Sequence, residues 1–205
     1  MGLFIVFEGV EGSGKSTQSR ELYRRLQKAE LEAVLIREPG GTPTAEYVRD
    51  WLIGGHDISP LTELLLFSAT RASLVESVIR PALSKGEIVV CDRYIYSTLA
   101  YQGYGRGMDM GAIDNLNGIA TGGLEPELVV LLDLPPDIGF QRKRGGDPND
   151  RFEREDLAFH QRVHEGYNAL AANDPKRWLV LDASLPMESL ASAIWDRVLE
   201  IQAER

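Results

Sequence analysis

Five short apolar runs punctuate the chain: FIVFE (4–8), AVLIR (33–37), IVVCD (88–92), LVVLLDL (128–134) and WLVLD (178–182). Their Val, Ile and Leu residues follow one another without polar alternation, as in strands covered on both faces. Segments long enough for helices lie between and after them, at 15–29, 43–53, 60–84, 95–121 in pieces, 135–144, 154–172 and 186–203. Strands separated by helix-length crossovers imply right-handed βαβ units and a parallel sheet. The pattern therefore predicts one three-layer α/β domain over residues 1–205, with a five-stranded parallel sheet flanked by helices. Four of the five strands end in, or lead to, a charged residue: Glu8, Arg37, Asp92 and Asp182. Ligands of open α/β sheets bind beyond the strand C-termini, so these four are expected near the site.

Composition narrows the class. A chain of 205 residues is of one-domain size and long enough to bury most of its apolar surface. A formal charge of −9 argues against a general nucleic-acid binder, whose affinity would rest on a basic face. Small anions held by local arginines remain compatible with it. Cys91 is the only cysteine, which excludes an internal disulfide and a thiolate zinc cluster. Within IVVCD it reads as a small buried side chain. No apolar run approaches the roughly 20 residues that span a bilayer, and the N-terminal stretch has no basic region followed by a cleavage site. A cytoplasmic location is expected.

The first strand leads into GVEGSGKS (9–16), which fits G-x-x-x-x-G-K-[ST] through Gly9, Gly14, Lys15 and Ser16. A strand precedes it and a helical pattern follows, the context a phosphate loop requires. Glycines let the backbone bring its N–H groups onto phosphate oxygens, Lys15 reaches the β- and γ-phosphates, and Ser16 ligates Mg²⁺. The loop also holds a carboxylate, Glu11, where polyanions are expected. A guanine-binding switch protein would need D-x-x-G and [NT]-K-x-D, and the chain has neither.

The remaining motifs carry less weight singly. DRY (92–94) follows the third run, so Asp92 can join the Mg²⁺ environment and Arg93 can grip an acceptor phosphate with its fork, or the two can form a structural ion pair. REPGGT (37–42) is a tight turn after the second strand. Phe67 and Arg71 are four residues apart on one helix face, placed to stack on a base and hydrogen-bond to it, or to serve as core aromatic and solvated cation. Arg142, Lys143 and Arg144 precede the Gly- and Pro-rich stretch 144–150, and Arg151 and Arg154 follow it; this composition suits a mobile lid or a solvated basic surface. His160 and His164 sit at i, i+4, but no third metal ligand with suitable spacing is evident.

Taken together these residues resemble the bacterial thymidylate kinases, P-loop nucleoside monophosphate kinases, along nearly the whole chain. The resemblance rests on FEGVEGSGKSTQ (7–18), REPGGT (37–42), LLLFSATRASLVESVIRPAL (64–83), DRYIYSTLAYQGYGRG (92–107), PELVVLLDL (126–134) and DRFERED (150–156). It implies a P-loop kinase fold and transfer of the ATP γ-phosphoryl group to dTMP with Mg²⁺, in the path to dTTP. It puts ATP phosphates on Gly9, Val10, Glu11, Gly12, Ser13, Gly14, Lys15, Ser16 and Thr17, and Mg²⁺ on Ser16 and Asp92. Thymine is expected against Phe67 and Arg71 with Thr98 and Gln102 nearby, and the dTMP phosphate on Arg93, with Arg37 and Arg49 around it. Tyr101 is expected to crowd the 2′ position, and Glu11 to face the sugar near its 3′-hydroxyl.

The loop interior has no base, so the resemblance implies the lid-arginine type, with Arg142, Arg144 or Arg151 joining Lys15 and Arg93 as catalytic groups and a lid at about 141–154. Tyr96 departs from the small or acidic residue of many relatives, and Thr98 stands where Ser or Asn is also common, which keeps a hydroxyl and implies little change. A homodimer is implied by analogy. Another P-loop nucleoside monophosphate or deoxynucleoside kinase is the nearest alternative. A nucleotide-gated regulatory ATPase is a more distant one, opposed by the acidic composition.

Overall fold

Each apolar run becomes one strand: β1 (Phe4–Glu8), β2 (Ala33–Arg37), β3 (Ile88–Asp92), β4 (Leu128–Asp133) and β5 (Trp178–Asp182). The computed structural model describes residues 2–54, 56–143 and 151–204. All neighbouring strands pair in parallel, in the order β2-β3-β1-β4-β5. Residues of β1 and all but the last of β3 and β4 are buried, as the uninterrupted apolar runs require.

The helices are α1 (Lys15–Lys28), α2 (Pro43–Ile53), α3 (Pro60–Leu74), α4 (Arg80–Ser84), α5 (Ile95–Thr98), α6 (Met110–Thr121), α7 (Pro136–Arg142), α8 (Leu157–Asn173) and α9 (Met187–Ala203). Several begin on side-chain caps that satisfy an otherwise orphaned N–H: Thr42 for α2, Ser59 for α3, Asp109 for α6 and Asp156 for α8. Pro43 and Pro60 sit just inside their helices, where the missing N–H costs nothing. Leu22 and Leu26 of α1 join the main core with Leu128–Leu132 of β4 and with Phe159, Val163 and Tyr167 of α8. A second cluster, around Val89, Leu74 and Ile79, covers the other side of the sheet.

The sequence pattern differs from the structure at two segments. Residues 60–84 are helical throughout but pass through a π-turn at Val75–Ile79, and a second π-segment, Leu99–Gly105, follows α5. Such wider turns are frequent at functional sites, and the second carries Tyr101 and Gln102.

Sheet order and register position the site. Because β3 inserts between β2 and β1, Arg37 is level with Asp92, and Asp92 with Phe7. The three loops leaving β1, β2 and β3 therefore open side by side at one sheet edge.

Candidate active site

The loop after β1 is shaped by glycines at positive φ: Gly9 (141°), Gly12 (73°) and Gly14 (96°). Space demands glycine as well as conformation, for a Cβ on Gly12 would lie 2.3 Å from the Gly139 carbonyl oxygen, and one on Gly139 would lie 2.3 Å from that of Glu11. The phosphate loop thus leans backbone to backbone on α7. Nothing in the sequence marked Gly139, whose role arises only from this approach.

Lys15 opens α1 and turns back into its loop, donating from Nζ to Gly9 O (2.9 Å) and Val10 O (2.7 Å). Burial, aided by repulsion from Arg93, pushes its ammonium down from the usual 10.5 to about 7, although Asp92, Glu11 and Glu8 oppose the shift. Ser16, one residue on, donates its hydroxyl to Asp92 Oδ2 at the end of β3.

Among the described residues around the cleft, Arg93 is the only non-glycine at positive φ, at 72°. A left-handed arginine costs free energy that the surroundings must offset. Its own N–H donates to Phe7 O (2.9 Å), and the next N–H, of Tyr94, to Glu8 Oε1 (2.9 Å). The guanidinium, so turned, reaches Gly9 O, Ser97 Oγ and Tyr167 OH through Nη1, each at 3.1 Å. Through Nη2 it reaches Glu11 Oε1 (3.0 Å) and Tyr101 OH (3.2 Å). Burial opposes its charge, but Tyr101, Tyr167, Glu11 and Glu8 outweigh burial and raise its pKa further.

Glu11 is the carboxylate in the phosphate loop. Burial alone would raise its pKa, yet the facing His160, together with Arg93, Lys15 and Tyr101, holds it well below the ordinary carboxylate range. Tyr101 OH donates to Oε1 at 2.5 Å, and His160 Nδ1 stands 3.4 Å from Oε2. The other ring nitrogen of His160, Nε2, is 3.0 Å from Phe152 O, so one imidazole stands between the phosphate loop and the C-terminal end of the expected lid. His164 has a separate partner, Asp133 Oδ1 at 2.6 Å.

Not every strand-end charge reaches the site. Glu8 is fully buried and fills its carboxylate with Tyr94 N, Ser97 N, Ser97 Oγ and Tyr167 OH, so it braces the β3 loop instead of meeting a ligand. Asp182 accepts from Ser184 N (2.8 Å) and ends a turn. Tyr96 likewise leaves the sugar region: its ring packs edge-on against Trp178 at 4.8 Å.

A cleft of about 790 Å³ gathers most of the expected residues. Its lining includes Glu11, Gly12, Gly14, Lys15, Ser16 and Thr17 from the loop, and Arg37 and Arg49 from β2 and α2. Phe67, Arg71, Asp92, Arg93, Thr98, Tyr101 and Gln102 complete the opposite side, with Arg142 and Lys143 at the end of α7. Gly9 and Val10 contribute carbonyls to Lys15. Arg37 pairs with Glu46 (3.1 Å), and Arg49 donates to Pro39 O (2.8 Å).

Arg71 is buried, with Nε to Glu38 Oε2 (2.8 Å), Nη1 to Asn117 Oδ1 (2.8 Å) and Nη2 to Tyr94 O (3.1 Å). The solvated-cation reading of Arg71 fails on that count. Phe152 adds an aromatic wall that sequence reasoning did not single out, 6.0 Å from the Phe67 ring and 5.7 Å from Tyr101.

Of the basic residues expected in the lid, Arg142 donates to Ala183 O (2.9 Å), Lys143 pairs with Glu153, and Arg151 pairs with the buried Glu63. Arg144 and the rest of the stretch to 150 lie outside the described residues. Among the described residues no helix is long and apolar enough to cross a membrane.

A phosphate loop at the head of a parallel β2-β3-β1-β4-β5 sheet, opening into one cleft whose far side carries Arg37, Arg49, Arg71 and Arg93, defines a P-loop kinase. The chain belongs to the thymidylate kinase family, whose model matches residues 7–194. It is 51% identical over 202 residues to thymidylate kinase of Thermomicrobium roseum, covering 98% of this chain and 96% of that one. It is 52% identical over 201 residues to that of Dehalococcoides mccartyi, covering 97% and 96%. A crystal structure of thymidylate kinase from Ehrlichia chaffeensis superposes with a TM-score of 0.77 at 33% identity, covering 98% of each chain.

Proposed function

We propose that this chain transfers the γ-phosphoryl group of ATP to dTMP, giving dTDP and ADP. The observation that carries the reading is a single cleft in which a phosphate loop and its lysine meet a pocket containing Arg93 and walled by Phe67 and Arg71. Such a cleft suits a polyanion and a mononucleotide placed end to end, and family membership supports thymidylate as the second.

In this reading the loop from Gly9 to Thr17 and the N-terminus of α1 receive the ATP phosphates through backbone N–H groups. Lys15 exchanges its carbonyl partners for phosphate oxygens. Ser16 and Asp92 already stand in contact, and their hydroxyl and carboxylate are the hard oxygens Mg²⁺ prefers, so they would hold it and it would neutralise phosphate charge. The dTMP phosphate, with a second pKa of about 6, is mostly ionised at pH 7 and needs no strong general base. Arg93 grips it, with Arg37 and Arg49 around it, while Phe67, Arg71, Thr98 and Gln102 hold the base. Glu11, bonded to both Arg93 and Tyr101, aims the guanidinium and borders the sugar.

Residues 141–154 are proposed to close as a lid over a single catalytic domain. Of the two lid arginines among the described residues, Arg142 lines the cleft and Arg151 is engaged by Glu63, so Arg142 is the one of these two proposed to meet the transferring group. Catalysis then comes from positioning and charge stabilisation. A coupled assay of ADP release with dTMP, dUMP, dCMP, dGMP, AMP and thymidine should show the highest kcat/KM for dTMP; preference for any other acceptor would overturn the reading.

A homodimer through α2 and α3 is part of the proposal. Tyr47, Trp51, Leu61 and Leu65 of these helices are exposed, 81% in the case of Tyr47. Sedimentation equilibrium should give twice the chain mass of 22.8 kDa, and Tyr47→Glu with Leu61→Glu should halve it; a monomeric wild-type chain would sink this part.

A further inference from the structure

Glu63 is fully buried in the first turns of α3, and its carboxylate is a junction. Oε1 accepts from Gln102 Nε2 (2.5 Å) and Arg106 Nε (2.7 Å), and Oε2 from Arg106 Nη2 (2.9 Å) and Arg151 Nη2. Two guanidinium groups would be ample partners for one carboxylate, yet it also takes a neutral amide from a residue that lines the cleft beside Phe67 and Arg71.

That third bond decides an orientation. A glutamine carboxamide is planar and can present either its oxygen or its NH₂, and which one faces a ligand is set by what holds the other. A carboxylate that receives arginine N–H groups offers only acceptors, so Gln102 must turn its nitrogen to it. The amide oxygen is left on the opposite edge. Arg71, whose nitrogens all donate, supplies the neighbouring edge.

An acceptor beside a donor complements a pyrimidine imide, which shows N3–H next to a carbonyl. Cytosine shows the reverse, a bare N3 next to an NH₂, and would set acceptor against acceptor and donor against donor. We propose that Glu63 is a specificity-determining positioning residue, which by accepting from Gln102 Nε2 fixes the carboxamide oxygen toward the nucleobase and so selects thymine or uracil over cytosine. The inference rests on the dTMP reading above.

The test is the ratio of kcat/KM for dUMP to that for dCMP, a pair without the 5-methyl group that compares imide with cytosine directly. Glu63→Gln supplies an NH₂ that can bond the Gln102 oxygen, so the carboxamide loses its reason to hold one orientation. The ratio should fall by about tenfold or more, chiefly through KM, since a mispaired buried polar group carries a penalty of that order. Arg106→Met removes one cation but leaves the Gln102 bond, so it should lower the melting temperature and keep the ratio.

An unchanged ratio in Glu63→Gln, or an equal fall in Arg106→Met, would overturn the proposal in favour of general loosening. Should Glu63→Gln not fold, the wild-type chain still decides: the Gln102 amide protons should resist exchange before any nucleotide is added, and fast exchange would overturn the proposal. A wild-type chain that phosphorylates no dTMP would instead overturn the functional reading beneath it.

Discussion

A Lys15→Met chain is expected to fold and to lose on the order of a thousandfold in kcat/KM for dTMP, the scale of removing a preorganised donor from a developing phosphoryl charge. Methionine keeps the length and apolar stem of lysine, so the loss isolates the ammonium. The same variant tests why the ammonium is poised as it is. Buried among loop carbonyls, Lys15 has its pKa lowered to about 7, whereas in the unfolded chain it sits near 10.5. Between those values the unfolded chain binds a proton that the folded chain releases, so this group makes stability rise with pH, by at most about 1.4 kcal/mol per pH unit. Urea unfolding at pH 7.5 and 9.5 should therefore show wild type gaining on Lys15→Met as pH increases. Parallel changes in the two chains would mean that Lys15 is fully charged in the ligand-free fold. Near-wild-type turnover by the variant would sink the phosphate-loop assignment.

Arg93→Met should be as damaging to turnover, and for a second reason also to stability. Its guanidinium pairs with the partly buried Glu11; losing one partner of a fully buried pair costs about 3–5 kcal/mol, and a smaller cost is expected here because both groups keep some contact with solvent. A drop in melting temperature should accompany a loss of about a thousandfold in kcat/KM, the order expected when a preorganised charged donor that holds the acceptor phosphate in place is removed. Arg93→Lys separates the two effects. An ammonium restores charge beside Glu11 but lacks the planar fork that reaches Gly9, Ser97, Tyr167, Glu11 and Tyr101 at once. The lysine chain should regain most of the thermal stability and little of the activity. Recovery of both would show that only charge is needed, and loss of neither would remove Arg93 from the site.

Much of the candidate site was legible because its signals are local. Gly9, Gly14, Lys15 and Ser16 announce themselves by spacing after an apolar run, since a backbone that must wrap phosphate needs glycine at set positions. Arg93, Phe67 and Arg71 were legible as candidates, but whether Arg71 was solvated or buried was not. Its burial depends on Glu38 and Asn117, 33 and 46 residues away. Glu63 and Phe152 carried no signal, and His160 was weighed only as half of an i, i+4 metal pair, because a carboxylate, a ring and an imidazole become site residues only through what packs against them. Glu8 and Asp182 were misread toward the ligand for the same reason. Their place at strand ends was correct, yet Ser97 and Tyr167 on one side and Ser184 on the other had already claimed their oxygens.

What the sequence by itself determined is the periodic and local part: five parallel strands, the crossovers between them and a phosphate loop at the head of the first helix. These follow from side-chain apolarity and backbone conformational cost, which act within a few residues. That only β1, β3 and β4 are covered on both faces, with the edge strands β2 and β5 partly exposed, came from the sheet order. Only the tertiary structure decided that β3 lies beside β1, so that Asp92 touches Ser16 and Arg93 reaches over the loop to Glu11. Only it decided the left-handed backbone at Arg93, the π-turn under Tyr101 and Gln102, and the carboxylate junction at Glu63. The reason is that hydrogen-bond partners and burial are properties of neighbours in space. A charge such as Glu11 could be called awkward until the folded chain surrounded it with Arg93, Tyr101 and His160.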